Sequence, residues 1–365
     1  MVAPLDVCIR GAGVVGRTLA LLLARDRLRV GLVEAPPAGP ADVRAYAMNA
    51  ASRALLESLR AWPAETEATP VMHMEVHGDE GGLVRFDAGE QGMPALAWIA
   101  GATALEQGLA QALHYQPGVE ILREPRPAAL TVVCEGKASA TRAELGVQYE
   151  VRPYPQHAIA ARLVGERPHG QVARQWFRDG EILALLPLGG ADGNSAALVW
   201  SVRQERAAEL LALPAEEFEA RLTEASHGEM GALRLSSERV RWPLVLAKAD
   251  HWCGPGWVLA GDAAHAVHPL AGQGLNLGLA DVQALAQVLH GREYWRPLGD
   301  MKLLRRYERA RKAQVATMQL ASDGLQVLFE QDARAWSVLR NWGMRGFEHS
   351  GPVKRWTARQ AAGHL

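Results

Sequence analysis

The sequence is poor in cysteine and in net charge. Its 365 residues carry a formal net charge of −1 at pH 7, whereas proteins that bind nucleic acids normally carry a large basic excess. The 3 cysteines form no C-x-x-C pair, which indicates reduced thiols rather than a disulfide framework or a zinc site. These absences argue against nucleic-acid partners and against a structural metal.

Long apolar runs are absent as well. Runs such as residues 19–24 are far shorter than the roughly 20 residues that span a bilayer. The chain enters an apolar strand within a few residues of its start, which leaves no room for a signal peptide. With 48% hydrophobic and 22% charged residues, we expect a cytoplasmic globular protein of two or three lobes, at most peripheral to a membrane.

A glycine-rich stretch near the start contains G-x-G-x-x-G between two short apolar segments. It reads VCIRGAGVVGRTLALLLARDRLRVGLVE over residues 7–34. The first segment predicts a buried strand, residues 14–25 predict a helix, and residues 29–34 predict a second strand that ends on Glu34. The order of strand, glycine turn, helix, strand and acid is that of a dinucleotide-binding βαβ unit.

Each residue of this unit has a physical role. Gly11 permits the tight turn, Gly13 lets the backbone approach a pyrophosphate, and Gly16 allows helix and strand to pack closely. The helix N-terminus offers free N–H groups to phosphates. Glu34 can accept hydrogen bonds from a ribose hydroxyl. A plain strand-to-helix turn without a ligand is the alternative.

A second glycine block lies far downstream, in GWVLAGDAAHAVHPLAGQGLNLGLADVQALAQVL over residues 256–289. A short apolar strand leads to Gly261 and Asp262, and a loop of small residues follows. Gly272 and Gly274 precede a predicted helix, whose N-terminus can point bare N–H groups at a ligand. The apolar residues of that helix recur on one face, at Leu275, Leu279, Val282, Ala286 and Leu289.

His265 and His268 stand close to Asp262 in this loop, which raises the alternative of a metal site. No further ligand lies near the trio in the sequence. We therefore expect hydrogen bonds within the loop and assign no metal ligand. His268 is the one candidate for a catalytic residue, as a group that assists with protons, and loop packing is its alternative role.

Four motifs occur together in this chain: GAGVVGRTLALLLA, VGLVE, DVRAYAMNAASRALLESL and GDAAHAVHPLAGQGLNLGLADVQALAQVL. Their combination resembles the FAD-dependent aromatic hydroxylases of the para-hydroxybenzoate hydroxylase fold, and most of all the ubiquinone-biosynthesis branch. Segments such as YPQHAIAARL and WPLVLA extend the likeness over nearly the whole chain. The resemblance implies an α/β fold with an FAD-binding Rossmann-like lobe, a second lobe built on an antiparallel substrate sheet, and C-terminal helices.

The resemblance also implies roles toward FAD. The cofactor-binding positions would be Gly11, Gly13, Val14, Val15, Gly16, Glu34, Arg44, Gly261, Asp262, Pro269, Gly272, Gln273, Gly274, Leu275 and Asn276. Arg44 would reach toward the flavin and its phosphates, and Asp262 would bind the ribityl chain. Pro269 and residues 272–276 would form the wall beside the isoalloxazine ring. For Arg44, a solvated surface arginine beside Asp42 is the alternative.

The chain departs from the family pattern in its middle. The family has an Asp-Gly motif followed by a serine and an arginine. Here Glu135 and Gly136 precede Ser139 and Arg142 at that spacing, and several strands' worth of residues before the motif are missing. A longer carboxylate would lie off register and lose hydrogen bonds. We therefore expect loose FAD binding, which Glu135→Asp would tighten.

The motifs divide the chain into three parts. We expect a discontinuous FAD-binding domain at 1–70, 97–151 and 252–300, a substrate-binding sheet at 71–96 and 152–251, and a helical segment at 301–365. Trp200, in the strand-like stretch AALVWSV, is a pocket candidate or plain core. For the basic C-terminal helices we consider two roles: contact with a membrane or a partner protein, or a solvated face that covers the FAD-binding lobe.

The resemblance implies a monooxygenase that takes electrons from NAD(P)H. It would hydroxylate an aromatic ring through a flavin C4a-hydroperoxide that must be kept from water. The expected partners are a prenylated phenol of ubiquinone biosynthesis, molecular oxygen and proteins of a biosynthetic complex. Three alternatives remain: a related FAD-dependent reductase, a hydroxylase of another aromatic, and a weakly active or non-catalytic flavin-holding scaffold.

Overall fold

The structure is a computed structural model. It describes residues 4–35, 42–78, 81–190, 192–266 and 274–330, with residues 318–330 as backbone alone. All statements on the fold concern these ranges.

Strands and helices alternate along the described chain, which begins with a strand and ends with two helices. The first strands are β1 (Leu5–Arg10), β2 (Val30–Val33), β3 (Ala45–Met48), β4 (Ala68–Val71), β5 (His73–His77), β6 (Leu83–Asp87), β7 (Ala97–Gly101), β8 (Val119–Leu122) and β9 (Ala128–Val133). The later strands are β10 (Tyr149–Gly165), β11 (Val172–Arg178), β12 (Glu181–Pro187), β13 (Ser195–Arg203), β14 (Leu233–Leu235), β15 (Val240–Ala249), β16 (Cys253–Gly254), β17 (Trp257–Leu259) and β18 (His265–Ala266). The helices are α1 (Val14–Arg25), α2 (Ala50–Ser58), α3 (Ala102–His114), α4 (Ala140–Glu144), α5 (Gln204–Ala212), α6 (Ala215–Ala225), α7 (Gly274–His290) and α8 (Met301–Glu330), with a 3-10 turn at Gly261–Ala263.

The first sheet is parallel and has the order β16-β17-β9-β1-β2-β8, with only β16 running antiparallel to its neighbour. Its central strands β1, β2 and β9 are largely apolar, and helix α1 packs against β1 and β2. Helix α1 packs against α3 and α7. β1 occupies the centre of the sheet, so the glycine turn that follows Arg10 opens at the carboxyl edge, where ligands bind in open α/β sheets.

The second sheet is almost wholly antiparallel, in the order β18-β15-β10-β13-β12-β11-β5-β6, with β14 paired to β10. Side chains alternate between its two faces. One face packs with α5 and α6 around a buried core that includes Leu198, Trp200 and Phe218. The opposite face turns toward the first sheet. The second sheet therefore has one face in a core of its own and one face free to line a cavity.

Trp200 belongs to the helix-covered face of this sheet. Its ring centroid lies 6.1 Å from that of Phe218, and its Nε1 donates to Glu181 Oε2 at 3.0 Å. Of the two roles open for Trp200, pocket wall and plain core, the structure supports plain core, because strand alternation directs Trp200 away from the cavity and turns its neighbours Val199 and Ser201 inward.

A third, small sheet of order β3-β7-β4 joins the two larger ones. Val71 and Ile99 from this sheet form a small apolar cluster with Ala173 of the second sheet. Tyr46 of β3 packs on the opposite side, against the core of the first lobe. The small sheet thus fixes the distance between the glycine turn and the second sheet.

Helix α8 closes the first lobe. The hydroxyl of Tyr307 donates to the carbonyl of Leu259 at 3.0 Å, and the helix packs on α7 and β16. Within the described ranges, no helix is both long enough and apolar enough to cross a membrane.

The predicted fold class is confirmed: a parallel FAD-lobe sheet, a separate antiparallel sheet and a C-terminal helix are all present. The proposed domain boundaries stay predictions, and residues 331–365 lie outside the described ranges.

Candidate functional site

The glycine turn after β1 leaves one open space and two tight contacts. A Cβ on Gly11, whose φ is +108°, would meet the carbonyl oxygen of Cys134 at 2.5 Å. A Cβ on Gly16 would meet the Gly11 oxygen at 1.9 Å, whereas a Cβ on Gly13 would meet nothing within 4 Å. Gly11 and Gly16 therefore serve packing, and Gly13 faces the space that a ligand would enter.

Helix α1 begins in that open space. Gly13 caps it without a side-chain hydrogen bond, and no acidic residue lies in its first turn. The first N–H groups and the positive end of the helix dipole are therefore free to meet an anion such as a pyrophosphate.

Glu34 lies directly after β2, beside the glycine turn. Its Oε1 is 2.5 Å from a terminal nitrogen of Arg17, and Arg17 Nε donates to the Ala12 carbonyl at 2.6 Å. Arg17 thus holds the carboxylate against the turn, at the edge where a ribose would lie. The Glu34 side chain is 37% exposed, so it keeps room to accept a hydrogen bond from a ligand.

Arg44 is both paired and part of the cavity wall. Its guanidinium hydrogen-bonds Asp42 and lies 5.8 Å from the ring centroid of Tyr46. The bond to Asp42 raises the pKa of Arg44 above its usual value. Its carbonyl accepts from Arg162 of β10 at 2.7 Å. Arg44 therefore pairs with Asp42 and lines the cavity at the same time.

Asp262 stands in the 3-10 turn after β17, on the cavity wall. Its carbonyl accepts a hydrogen bond from the Tyr149 hydroxyl at 2.7 Å. The preceding Gly261 has φ +62°, and Val15 of α1 packs onto both Gly261 and Gly278, where a Cβ would come within 2.8 to 3.4 Å of its methyl groups. These two glycines let α1, the turn and α7 approach closely.

A buried carboxylate holds this turn in place. Asp281 of α7 accepts from the Gly261 N–H at 2.9 Å, from His265 Nε2 at 2.7 Å and from Arg311 Nε at 2.7 Å. Burial alone would raise the pKa of Asp281, but its attraction and hydrogen bonds to His265 and Arg311 outweigh burial and lower it. Asp281 is therefore an ionised anchor with no exposed surface.

His265 has a structural role in this network. Its ring also stacks on Trp252, with centroids 4.9 Å apart. In the described part of the chain, no group of three or more His, Cys, Asp or Glu side chains is placed to hold a metal.

Asn276 ties the start of α7 to the small sheet. Its amide nitrogen donates to the Ala47 carbonyl at 2.8 Å, and its amide oxygen accepts from the Asn49 N–H at 3.1 Å. Asn49 in turn caps α2. Gly274 and Leu275 line the cavity beside it. His268, Pro269, Gly272 and Gln273 lie outside the described residues, so their predicted roles stay predictions.

Glu135 makes a full set of contacts. Its carboxylate accepts from the Ser139 hydroxyl at 2.7 Å, the Thr141 hydroxyl at 2.6 Å and the Thr141 N–H at 3.1 Å, and Arg10 lies 3.2 Å away. Burial opposes ionisation, yet these bonds and Arg10 lower the pKa of Glu135. The expected off-register carboxylate is wrong, because the extra methylene lets Glu135 reach the start of α4.

These elements enclose one cavity of about 370 Å³. One wall carries Gly13, Val15 and Asp262 from the first lobe, and the other carries Ala160 and Ala184 from the second sheet. The cavity is continuous from the glycine turn to the apolar sheet face. It can hold an anionic cofactor at one end and an apolar ring at the other.

Sequence reasoning missed Asp281, Arg311 and Tyr149. Asp281 lies among the apolar residues of the helix predicted at 275–289. An acid among buried positions indicates that a cationic or hydrogen-bonding partner must lie nearby. The partner, Arg311, is 30 residues away, and its contact depends on how α8 docks. Tyr149 carried no sequence signal.

The sequence matches the family model described as FAD binding domain over residues 123–321. It is 30% identical to the ubiquinone hydroxylase UbiL of Rhodospirillum rubrum, over 99% of this chain and 90% of that protein. It is also 30% identical to the 3-demethoxyubiquinol 3-hydroxylase of Escherichia coli K12, over 99% of both chains. The crystal structure of p-nitrophenol 4-monooxygenase PnpA from Pseudomonas putida DLL-E4 is similar in fold, with a TM-score of 0.78 at 17% identity over 99% of this chain and 98% of that one.

Replacing Asp281 by asparagine should strongly destabilise the protein, because Arg311 would keep its charge in a buried site without a counter-charge. We expect a loss of about 3–5 kcal/mol in the free energy of unfolding, measured by urea denaturation. Since the folded-state pKa of Asp281 is lowered, its contribution is present above the unfolded pKa and is lost as the pH falls through the folded pKa. The advantage of the parent over the variant should therefore shrink in acid.

The control for this substitution is Glu57→Gln, which removes an exposed pair with Arg53 at 2.6 Å. Its cost should stay below about 1 kcal/mol. Equal losses in the two variants would contradict the anchoring role of Asp281.

Glu135→Asp should destabilise the protein by about 1–3 kcal/mol, because the shorter side chain cannot keep all its hydrogen bonds to residues 139–141. FAD retention, measured by equilibrium dialysis, should not improve. Glu144→Asp is the matched control, since Glu144 is 64% exposed and pairs loosely with Arg10. Tighter FAD binding by Glu135→Asp would restore the original expectation.

Proposed function

The chain belongs to the FAD binding domain family, and on this basis we propose that it is a monooxygenase that hydroxylates an aromatic ring in ubiquinone biosynthesis. Its substrate would be a prenylated phenol, its oxidant molecular oxygen and its electron donor NAD(P)H. Two relatives that cover nearly the whole chain carry the names ubiquinone hydroxylase and 3-demethoxyubiquinol 3-hydroxylase, which supports the pathway and the reaction.

The residues present fit FAD. Open space at Gly13, the uncapped start of α1 and the acid-free first turn suit the pyrophosphate. Glu34 is placed for the adenosine ribose, and Asp262 faces the cavity where the ribityl chain would run. We propose that these residues, with Arg44 and the start of α7, hold the cofactor. When bound, FAD supplies the redox chemistry, because a flavin accepts electrons from NAD(P)H and passes them to molecular oxygen.

The observation that carries the proposal is the continuity of the cavity. A dinucleotide site alone would suit many reactions, but here the glycine turn shares its space with an apolar sheet face. Ala160, Ala184 and Val199 from three neighbouring strands stand side by side on that face. Two of them are alanines, and their short side chains leave room for a ring beside the cofactor.

The chain's own contribution is to bind, orient and exclude water. The sheet residues that line the cavity are largely apolar, so a bound ring would displace water from the reacting end. The hydrogen bonds of Asn276 hold the start of α7 against β3. The Asp281 anchor fixes the turn that carries Asp262.

We propose the domain division given above for this enzyme: FAD binding by 1–70, 97–151 and 252–300, substrate binding by 71–96 and 152–251, and a helical segment at 301–365.

We also propose a cytoplasmic location with peripheral membrane contact. Three exposed arginines of α8, at Arg305, Arg306 and Arg309, support attraction to anionic lipid headgroups or to a protein of a biosynthetic complex.

The proposal is tested with purified protein reconstituted with FAD. A short prenylated phenol should stimulate NAD(P)H oxidation, and mass spectrometry under ¹⁸O₂ should show one labelled oxygen in the product. NAD(P)H oxidation with product but no label would favour a reductase. Tight FAD binding without any substrate-stimulated oxidation would favour the scaffold.

Asp262→Ala should leave a folded protein that binds FAD at least about tenfold more weakly, because the carboxylate that would accept a hydrogen bond from a ribityl hydroxyl is lost. The backbone carbonyl that Tyr149 contacts is unchanged by this substitution. FAD affinity is measured by fluorescence titration and folding by thermal denaturation. Asp250→Ala, an exposed acid near β16, should leave both unchanged. Loss of soluble protein with normal flavin affinity in the remainder would assign Asp262 a structural role.

A further inference from the structure

Ser201 is a buried hydroxyl on the cavity face of the second sheet. It lies on β13, two residues from Val199, and both line the cavity. In the sheet register Ser201 stands opposite Ile182 of β12 and Ala158 of β10. Ser201 is 5% exposed, and both residues opposite it in the sheet are apolar.

The Ser201 hydroxyl has no hydrogen-bond partner among the described residues. Because Ser201 lines the cavity, its hydroxyl can meet water or a ligand there, which are the usual partners of a polar group that has none in the protein. Two other described side chains of this sheet bring an uncharged polar atom to the cavity, the amide of Gln175 and the indole of Trp242. Gln175 already has an interaction within the protein, and the indole N–H of Trp242 can only donate. Ser201 is therefore available for a ligand.

The chemistry of this wall limits what that ligand carries. Among the described residues of the second sheet that line the cavity, none is charged, and the cations Arg44 and Lys137 lie on the first-lobe side. A carboxylate would find no counter-charge at Ser201. A neutral oxygen substituent on an otherwise apolar ring would find both its hydrogen bond and its apolar contacts.

We infer that the Ser201 hydroxyl hydrogen-bonds a neutral oxygen substituent of the substrate ring and so fixes how the ring is turned within the cavity. This inference rests on the proposed function and names a specificity residue for it. A ring that is apolar elsewhere would slide or rotate along the alanines and valine of this sheet. One polar anchor at a fixed position removes that freedom.

The test compares two probes that differ only in the oxygen, 2-geranylphenol and geranylbenzene. Each is titrated into the FAD-loaded protein, and binding is followed by the change in flavin absorbance. The parent should bind the phenol roughly threefold to tenfold more tightly, as one neutral hydrogen bond predicts. Ser201→Ala should lose most of this preference by weakening the phenol alone, and Ser201→Thr, which keeps a hydroxyl on a strand, should restore it.

Ser195→Ala is the matched control. Ser195 lies on the same strand but does not line the cavity, so this variant should keep the parent's preference. Product analysis gives a second measure, since Ser201→Ala should also yield a mixture of hydroxylation positions where the parent yields one.

Two outcomes would overturn the inference, and they are distinguishable. If Ser201→Ala has normal flavin content and melting temperature and keeps the parent's preference for the phenol, the assignment of Ser201 is wrong while the proposed function stands. If the FAD-loaded parent binds neither probe and hydroxylates neither, the proposed function fails and the inference fails with it.

Discussion

A single ionised carboxylate inside the first lobe organises the parts of the site that come from the end of the chain. Asp281 is held by α7, yet its partners are a backbone N–H in the turn after β17, a histidine in β18 and an arginine in α8. A charge without access to water must be satisfied on every side. The turn after β17, β18 and α8 are therefore placed by one requirement, and the position of Asp262 follows from it.

The cavity depends on a second constraint, which is the alternation of side chains along the strands of the second sheet. The same strand β13 gives Trp200 to the helix-covered core and Val199 and Ser201 to the cavity. One strand thus contributes both to the core of the second lobe and to the wall of the cavity. The small third sheet holds this face opposite the glycine turn through Val71, Ile99 and Ala173.

Spacing and periodicity in the sequence predict the elements whose geometry is set by neighbouring residues. The G-x-G-x-x-G turn, its flanking strands and α7 follow from spacing and periodicity, and the structure has them where the sequence indicates. The face chosen by Trp200 could not be predicted, because both faces of that strand are buried and alternation alone does not say which is the cavity. The contacts of Glu135 could not be predicted from the sequence, because its partners Thr141 and Arg10 come together only in the folded chain.

The connectivity of the first sheet has a consequence for how the chain reaches its fold. β9 pairs with β1 on one side and with β17 on the other, so Val132 has Val258 as its neighbour. Strands β10 to β15 of the antiparallel sheet lie between β9 and β17 in the sequence. During synthesis, β9 would therefore expose an unpaired edge until the chain past residue 259 has emerged. Such an edge invites pairing with other chains, so fragments that end within the second sheet should be prone to aggregation, and folding should be slow relative to proteins with local pairing.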